Sequence, residues 1–142
     1  MTYSPDGQFI ASASYDNTVR IWNAHSGTTL KILQGHRNSV NSIAYSPDGQ
    51  EWITSASDDN TVRIWDVHSG INLKTLEGHS DSVWSVTYSP DGQFIASASV
   101  DNTVRIWNAH SGENSKTIEE HSGFVNSVTY SPDGKWIASA SG

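Results

Sequence analysis

The chain has 142 residues, 15 of them acidic and 8 basic, for a formal charge of −7. Binding a phosphate backbone needs clustered Lys and Arg to release counterions, so nucleic acid is excluded as the expected partner. Without cysteine there is no disulfide or thiol chemistry, and no stretch approaches the roughly 18 consecutive apolar residues of a membrane span.

Along the chain one series of elements recurs. Ser-Pro-Asp-Gly begins at Ser4, Ser46, Ser89 and Ser131, spaced by 42, 43 and 42 residues, and Ile-Trp recurs at Ile21-Trp22, Ile64-Trp65 and Ile106-Trp107. The repeat-equivalents run over about 1–34, 35–77 and 78–119, with a partial one at 120–142. The one extra residue falls beside Glu51, where a bulge or a longer turn would absorb it. Thr2 to Gly27 matches Thr87 to Gly112 at every position but one, Tyr15 against Val100, which implies recent duplication or design.

The stretch from Ser39 to Gly78 serves as the example. Val40 and Ile43 are apolar at a spacing of three, which predicts a strand with a bulge. Ser46-Pro47-Asp48-Gly49 has the proline, back-bonding aspartate and permissive glycine of a turn. Trp52 to Ser57 reads as a second strand, Asp59-Asn60 as a tight turn, Thr61 to Asp66 as a β-branched third strand, and Asn72 to Glu77 as a fourth. The unit is a four-stranded antiparallel meander. Both faces of Thr61 to Trp65 need cover, Val62 and Ile64 on one and Trp65 with the stem of Arg63 on the other, so each sheet requires a neighbour on either side. Stacking such sheets around an axis is the propeller solution.

Gly35-His36, Ser55-Ala56-Ser57-Asp58-Asp59-Asn60-Thr61 and Ile64-Trp65-Asp66, recurring in phase, resemble the signature of the WD-repeat family. The resemblance spans essentially the whole chain. It implies an all-β fold of WD-repeat β-propeller blades, about three plus a partial one, incomplete as a single chain. It also implies a structural tetrad in each repeat: His36, Ser55, Asp59 and Trp65, then His79, Ser97, Asp101 and Trp107, with the first serine of each Ser-Ala-Ser as the expected member. The first repeat has Ser12, Asp16 and Trp22 without a histidine, and the last has His121 and Ser139 without Asp or Trp. The pattern departs from the family at Asn23 and Asn108 for Asp, at Glu120 for Gly, and at Ser115 in place of Leu30 and Leu73; the last two predict a looser outer strand in the third repeat.

Chemistry that these residues superficially suggest is set aside. The six histidines fall at equivalent places on successive repeats, too far apart for the roughly 2 Å bonds of a zinc site. A Ser/His/Asp group that returns in every repeat, with a Trp, points to fold maintenance and not to a hydrolase triad. Asp58 to Asn60 lacks the rest of a calcium loop, and no phosphate-binding glycine loop occurs. No catalytic, metal or cofactor residue is expected.

Positions that differ between matching repeats are those free to specialise: Tyr15, Asp58 and Val100 before the turn aspartate, Asn41, Trp84 and Asn126 in the bulged strand, and Arg37 and Phe124 in the loop after the histidine. By resemblance to the family, these loops share the face on which propellers most often hold peptides. The expected function is therefore a protein–protein interaction scaffold rather than an enzyme. The alternatives are a glycan- or small-molecule-binding propeller and a self-assembling structural module, natural or designed. About three blades fall short of the four to eight of closed propellers. A head-to-tail homo-oligomer, most simply a dimer of about six blades, is the expected closure. Met1 to Ile10 lacks the order of a secretory signal and no Asn-X-Ser/Thr occurs, so a cytoplasmic location is expected.

Overall fold

The computed structural model describes residues 1–142 and contains fourteen β-strands and no helix. The first sheet comprises β1 (Thr2–Tyr3), β2 (Phe9–Ala13), β3 (Val19–Asn23) and β4 (Thr29–Leu33). The second comprises β5 (Val40–Tyr45), β6 (Trp52–Ser57), β7 (Val62–Asp66) and β8 (Asn72–Leu76), and the third β9 (Val83–Tyr88), β10 (Phe94–Ser99), β11 (Val104–Asn108) and β12 (Asn114–Ile118). A two-stranded sheet of β13 (Val125–Tyr130) and β14 (Ile137–Ser141) follows. Within each sheet the strands lie in chain order and pair antiparallel. The array is an arc of blades and not a closed ring.

Alternation of side chains across each pleat explains why the blades stack. Ile53 of β6 and Trp65 of β7 pack with Ala11, Val19, Ile21 and Leu33 of the first sheet. Ala56, Val62 and Ile64 of the same two strands pack the other way, against Val83, Val86, Ile95 and Trp107 of the third. A third cluster joins Ala96, Ala98, Val104 and Ile106 to Val125 and Val128. The core therefore lies between sheets, and each blade is a spacer greased on both faces. Burying such side chains contributes about 1.5–3 kcal/mol each, which an isolated blade would forgo.

Two irregularities recur along the array. In the innermost strands the register slips so that Asn41, Trp84 and Asn126 have no partner across the ladder, and a bulge of this kind re-aims the side chain. In the outer pair the slip falls at Leu30, Leu73 and Ser115. β12, expected to be the looser outer strand, pairs with β11 in the register that β8 keeps with β7, and the Ser115 hydroxyl donates to the Ile106 carbonyl at 3.1 Å, while β12 is the more exposed of the two strands. The meander also sorts the turns. The Ser-Pro-Asp-Gly and His-Ser-Gly turns lie at one end of the arc; the Asp-Asn turns and the loops after His36, His79 and His121 lie at the other.

Candidate functional site

The second and third blades each hold one hydrogen-bonded chain of four side chains. Trp65 Nε1 donates to Ser55 Oγ at 2.8 Å, Ser55 Oγ lies 2.7 Å from His36 Nε2, and His36 Nδ1 lies 2.8 Å from Asp59 Oδ2. In the third blade the same atoms of Trp107, Ser97, His79 and Asp101 stand at 2.9, 2.7 and 2.8 Å. A neutral imidazole protonated on Nδ1 satisfies the whole chain: indole to hydroxyl, hydroxyl to Nε2, Nδ1 to carboxylate. Three segments are tied at once, because the histidine precedes the innermost strand, the serine is on the second and the tryptophan on the third.

The electrostatics agree. Burial pushes the Asp59 carboxyl up, but hydrogen bonds from His36, Thr61 and the Arg37 N–H outweigh it and hold the acid well below the usual carboxylate range. Asp101 is likewise lowered, burial being overcome by Thr103, His79 and the Ser80 N–H. Burial drives the His79 imidazole below its ordinary 6.5 in spite of Asp101, which favours the neutral ring. Ser55 and Ser97 are 0% exposed, so neither hydroxyl is open to a substrate, unlike the nucleophile of a hydrolase triad.

The outer sets are incomplete. In the first blade Trp22 Nε1 donates to Ser12 Oγ at 2.9 Å, while Asp16 takes Thr18 at 2.5 Å and Arg20 at 3.1 Å in place of a histidine. Those hydrogen bonds, Thr18 and Ser14 foremost, bring Asp16 down to about 2. In the last blade His121 Nε2 stands 2.7 Å from Ser139 Oγ with no tryptophan or aspartate beyond.

Sequence reasoning missed part of this network. Ser57 and Ser99, the second serines of each Ser-Ala-Ser, are fully buried; Ser57 Oγ donates to the Asn38 carbonyl at 3.1 Å and accepts from the Asp59 N–H at 3.1 Å. Thr61 and Thr103 donate to Asp59 and Asp101 at 2.6 Å. The threonine after each Asp-Asn, present in every complete repeat, was the available signal.

On the end of the arc that carries the Asp-Asn turns, Trp84 and Phe124 form an edge-on pair with ring centroids 6.1 Å apart, 39% and 52% exposed. Tyr15, 88% exposed, stands apart from them, in a shallow hollow with Met1, Val40 and Asn41. Asn41 is held rather than free: its Nδ2 donates to Asp58 Oδ1 at 2.7 Å and to the Val83 carbonyl of the next blade at 3.1 Å. Arg37 lends its backbone N–H to Asp59 at 3.0 Å, and Val100 its N–H to Ser82 at 2.9 Å. A Cβ on Gly142 would meet the amide nitrogen of Asn126 at 2.9 Å. No three His, Asp or Glu side chains converge to hold a metal ion, and no helix is present to cross a membrane.

Radially stacked four-stranded meanders, two of them locked by a recurring Trp-Ser-His-Asp chain, define an arc of a β-propeller. The model of the WD domain, G-beta repeat, matches residues 1–23, 27–66, 70–108 and 112–142, and the chain belongs to this WD-repeat family. The matched units are out of phase with the sheets: 27–66 joins β4, the outer strand of one blade, to the first three strands of the next. The chain is 52% identical over 44 residues to nuclear distribution protein PAC1 of Mycosarcoma maydis, covering 31% of this chain and 10% of that protein. It is 52% identical over 42 residues to human coronin-7, covering 30% and 4%. It is 48% identical over 50 residues to human WD repeat and SOCS box-containing protein 1, covering 34% and 12%. Each match is about one repeat long, so the chain corresponds to a small part of each of these relatives.

Proposed function

We propose that this chain is a non-enzymatic scaffold that binds other proteins or peptides, through the end of the arc that carries Trp84 and Phe124. The observation that carries this reading is the aromatic pair itself. A bulge turns Trp84 out of the ladder, the Phe124 ring braces it, and two large, rigid, half-exposed aromatics side by side are the usual anchors of an interface. Tyr15, Arg37, Val100 and Asn126 lie at the same end of the arc, in its other loops and bulged strands, as further candidate contacts, while Asn41 and Asp58 brace one another. Membership of a repeat family, whose relatives here range from coronin-7 to a SOCS box protein, supports a binding role over catalysis. A cytoplasmic location is part of the same proposal. The test is a peptide-library selection followed by affinity measurement on Trp84→Ala. An anchor predicts a loss of at least about 2 kcal/mol, roughly 30-fold, with the melting temperature unchanged; equal affinity removes the pair from the interface.

A second reading concerns closure. The edge of β14 is unpaired, its blade has His121 and Ser139 only, and the first blade has Ser12, Asp16 and Trp22 only. Two copies arranged head to tail supply complementary halves. Residues Thr129 to Ser141 nearly duplicate Thr2 to Ser14, so a β13–β14 hairpin fits the place of β1–β2 in a partner's first blade. Native mass spectrometry tests this directly: a defined dimer supports closure between copies, whereas a monomer rejects it and leaves the binding proposal to the Trp84 experiment.

A further inference from the structure

At the opposite end of the arc, between the first and second sheets, lies a cavity of about 220 Å³ with an apolar floor that includes Phe9, Tyr45 and Val67. Its origin is the single extra residue of the second repeat. Glu51, at φ +54°, takes up the insertion, and the turn it follows stands off from the turn before it: a Cβ on Gly49 would touch nothing within 4 Å. One blade further on, where the repeat has its ordinary length, a Cβ on Gly92 would strike Asp48 at 2.7 Å, and one on Gly134 would reach Pro90 at 3.5 Å. Neighbouring turns touch at those two interfaces and part at this one.

What fills the same place at the next interface identifies what fits here. Trp52 is the counterpart of Phe9, and its indole packs edge-on against the His110 ring with centroids 5.5 Å apart. In the first interface the shorter Phe9 stands where the indole would be, and His68, the counterpart of His110, is drawn instead to Glu51. The space left lies at the place that an indole takes one interface further on. An apolar cavity of about 150 Å³ already accepts benzene. Asp6, Glu51, Lys31 and His68 also line the cavity, with His68 held by Glu51, so acidic and basic groups are both present and no cluster of one sign is there to select a charged substituent.

We infer that this cleft is a binding site for a small, uncharged, planar bicyclic aromatic molecule of indole type, which enters between the blades and takes the position that Trp52 occupies in the next interface. The site is distinct from the Trp84–Phe124 surface and stands or falls independently of it. It also differs from a pocket that every blade would share, since its shape comes from an insertion found once.

The probe is 5-fluoroindole, titrated against the folded chain in whatever assembly it forms and followed by fluorine NMR. Saturable binding is expected, with intermolecular nuclear Overhauser contacts to the Val67 methyls. Phe9→Trp, which supplies the missing indole from within, should weaken the probe by at least about tenfold, and Trp84→Ala should leave it unchanged. Removing Gln50, which restores the ordinary repeat length, should have the same effect as Phe9→Trp and serves if that variant does not fold. The inference is overturned by an absence of saturable binding at millimolar probe, by binding that survives both cavity-closing variants, or by contacts to Trp84 in place of Val67.

Discussion

The two inner blades and the two terminal ones have the same vocabulary of residues and use it differently. Ser97 is 0% exposed and joins Trp107 to His79, whereas Ser139, in a set with two of the four members, is exposed and bonded to His121 alone. Trp65 and Trp107 are each 1% exposed, while Trp22 is only partly covered and its blade's Asp16 lies open on the surface beside Arg20. The difference teaches that the tetrad is not a local motif. Its strength comes from removal of four polar groups from water together, which needs all four strands and a neighbour on each side.

The largest expected contrast is between two tryptophans. Trp107→Ala should destabilise the fold by about 3–5 kcal/mol, because a fully buried indole leaves a cavity between blades. Trp136→Ala, with its ring 73% exposed, should stay within about 0.5 kcal/mol by denaturant melts of both variants. Near-equal losses would mean that the terminal hairpin is covered in solution, as closure between copies requires. Next come the serines. Ser97→Ala orphans the buried Trp107 N–H and the His79 Nε2 and should cost about 1–3 kcal/mol, against at most about 0.5 kcal/mol for Ser139→Ala. If the two cost the same, the comparison between inner and terminal sets fails.

Acid should sharpen the contrast with the smallest effect. His79 titrates below its ordinary 6.5 in the folded chain, so the unfolded chain takes up that proton first and stability falls as pH drops below about 6.5. Asp59 and Asp101 are lowered from 3.8, so their contribution is present above that value and is lost below it, in a second stage. Melting temperatures measured from pH 8 to 3 should therefore be level at first and then decline in two steps, with the upper step missing from His79→Gln. A melting temperature that rises on mild acidification would contradict the neutral, buried imidazole.

Much of this was legible in the chain. The 42- and 43-residue spacing of Ser-Pro-Asp-Gly implied equivalent blades, and the spacing of Val40 and Ile43 implied a bulged strand, whose unpaired residue in the structure is Asn41. Less legible was what crosses from one blade to the next. Asn41 reaching the Val83 carbonyl, the Trp84–Phe124 pair and the gap beside Gly49 all join residues from different repeats, whose separation depends on the angle between sheets. At Ser115 the backbone ladder keeps the register it has at Leu73 and a hydroxyl meets the Ile106 carbonyl, while the strand lies more exposed than its counterpart.

The sequence by itself determined the blade: its four strands, its turns and the bulged strand, because these depend on local conformational preference and on alternation along single strands, while the members of the tetrad followed from its resemblance to the WD-repeat family. Only the tertiary structure decided which of those tetrads are sealed, which aromatics meet at the surface and where one inserted residue opens a cleft. Those outcomes rest on how whole sheets pack face to face, and packing is a property of neighbours that no single repeat contains.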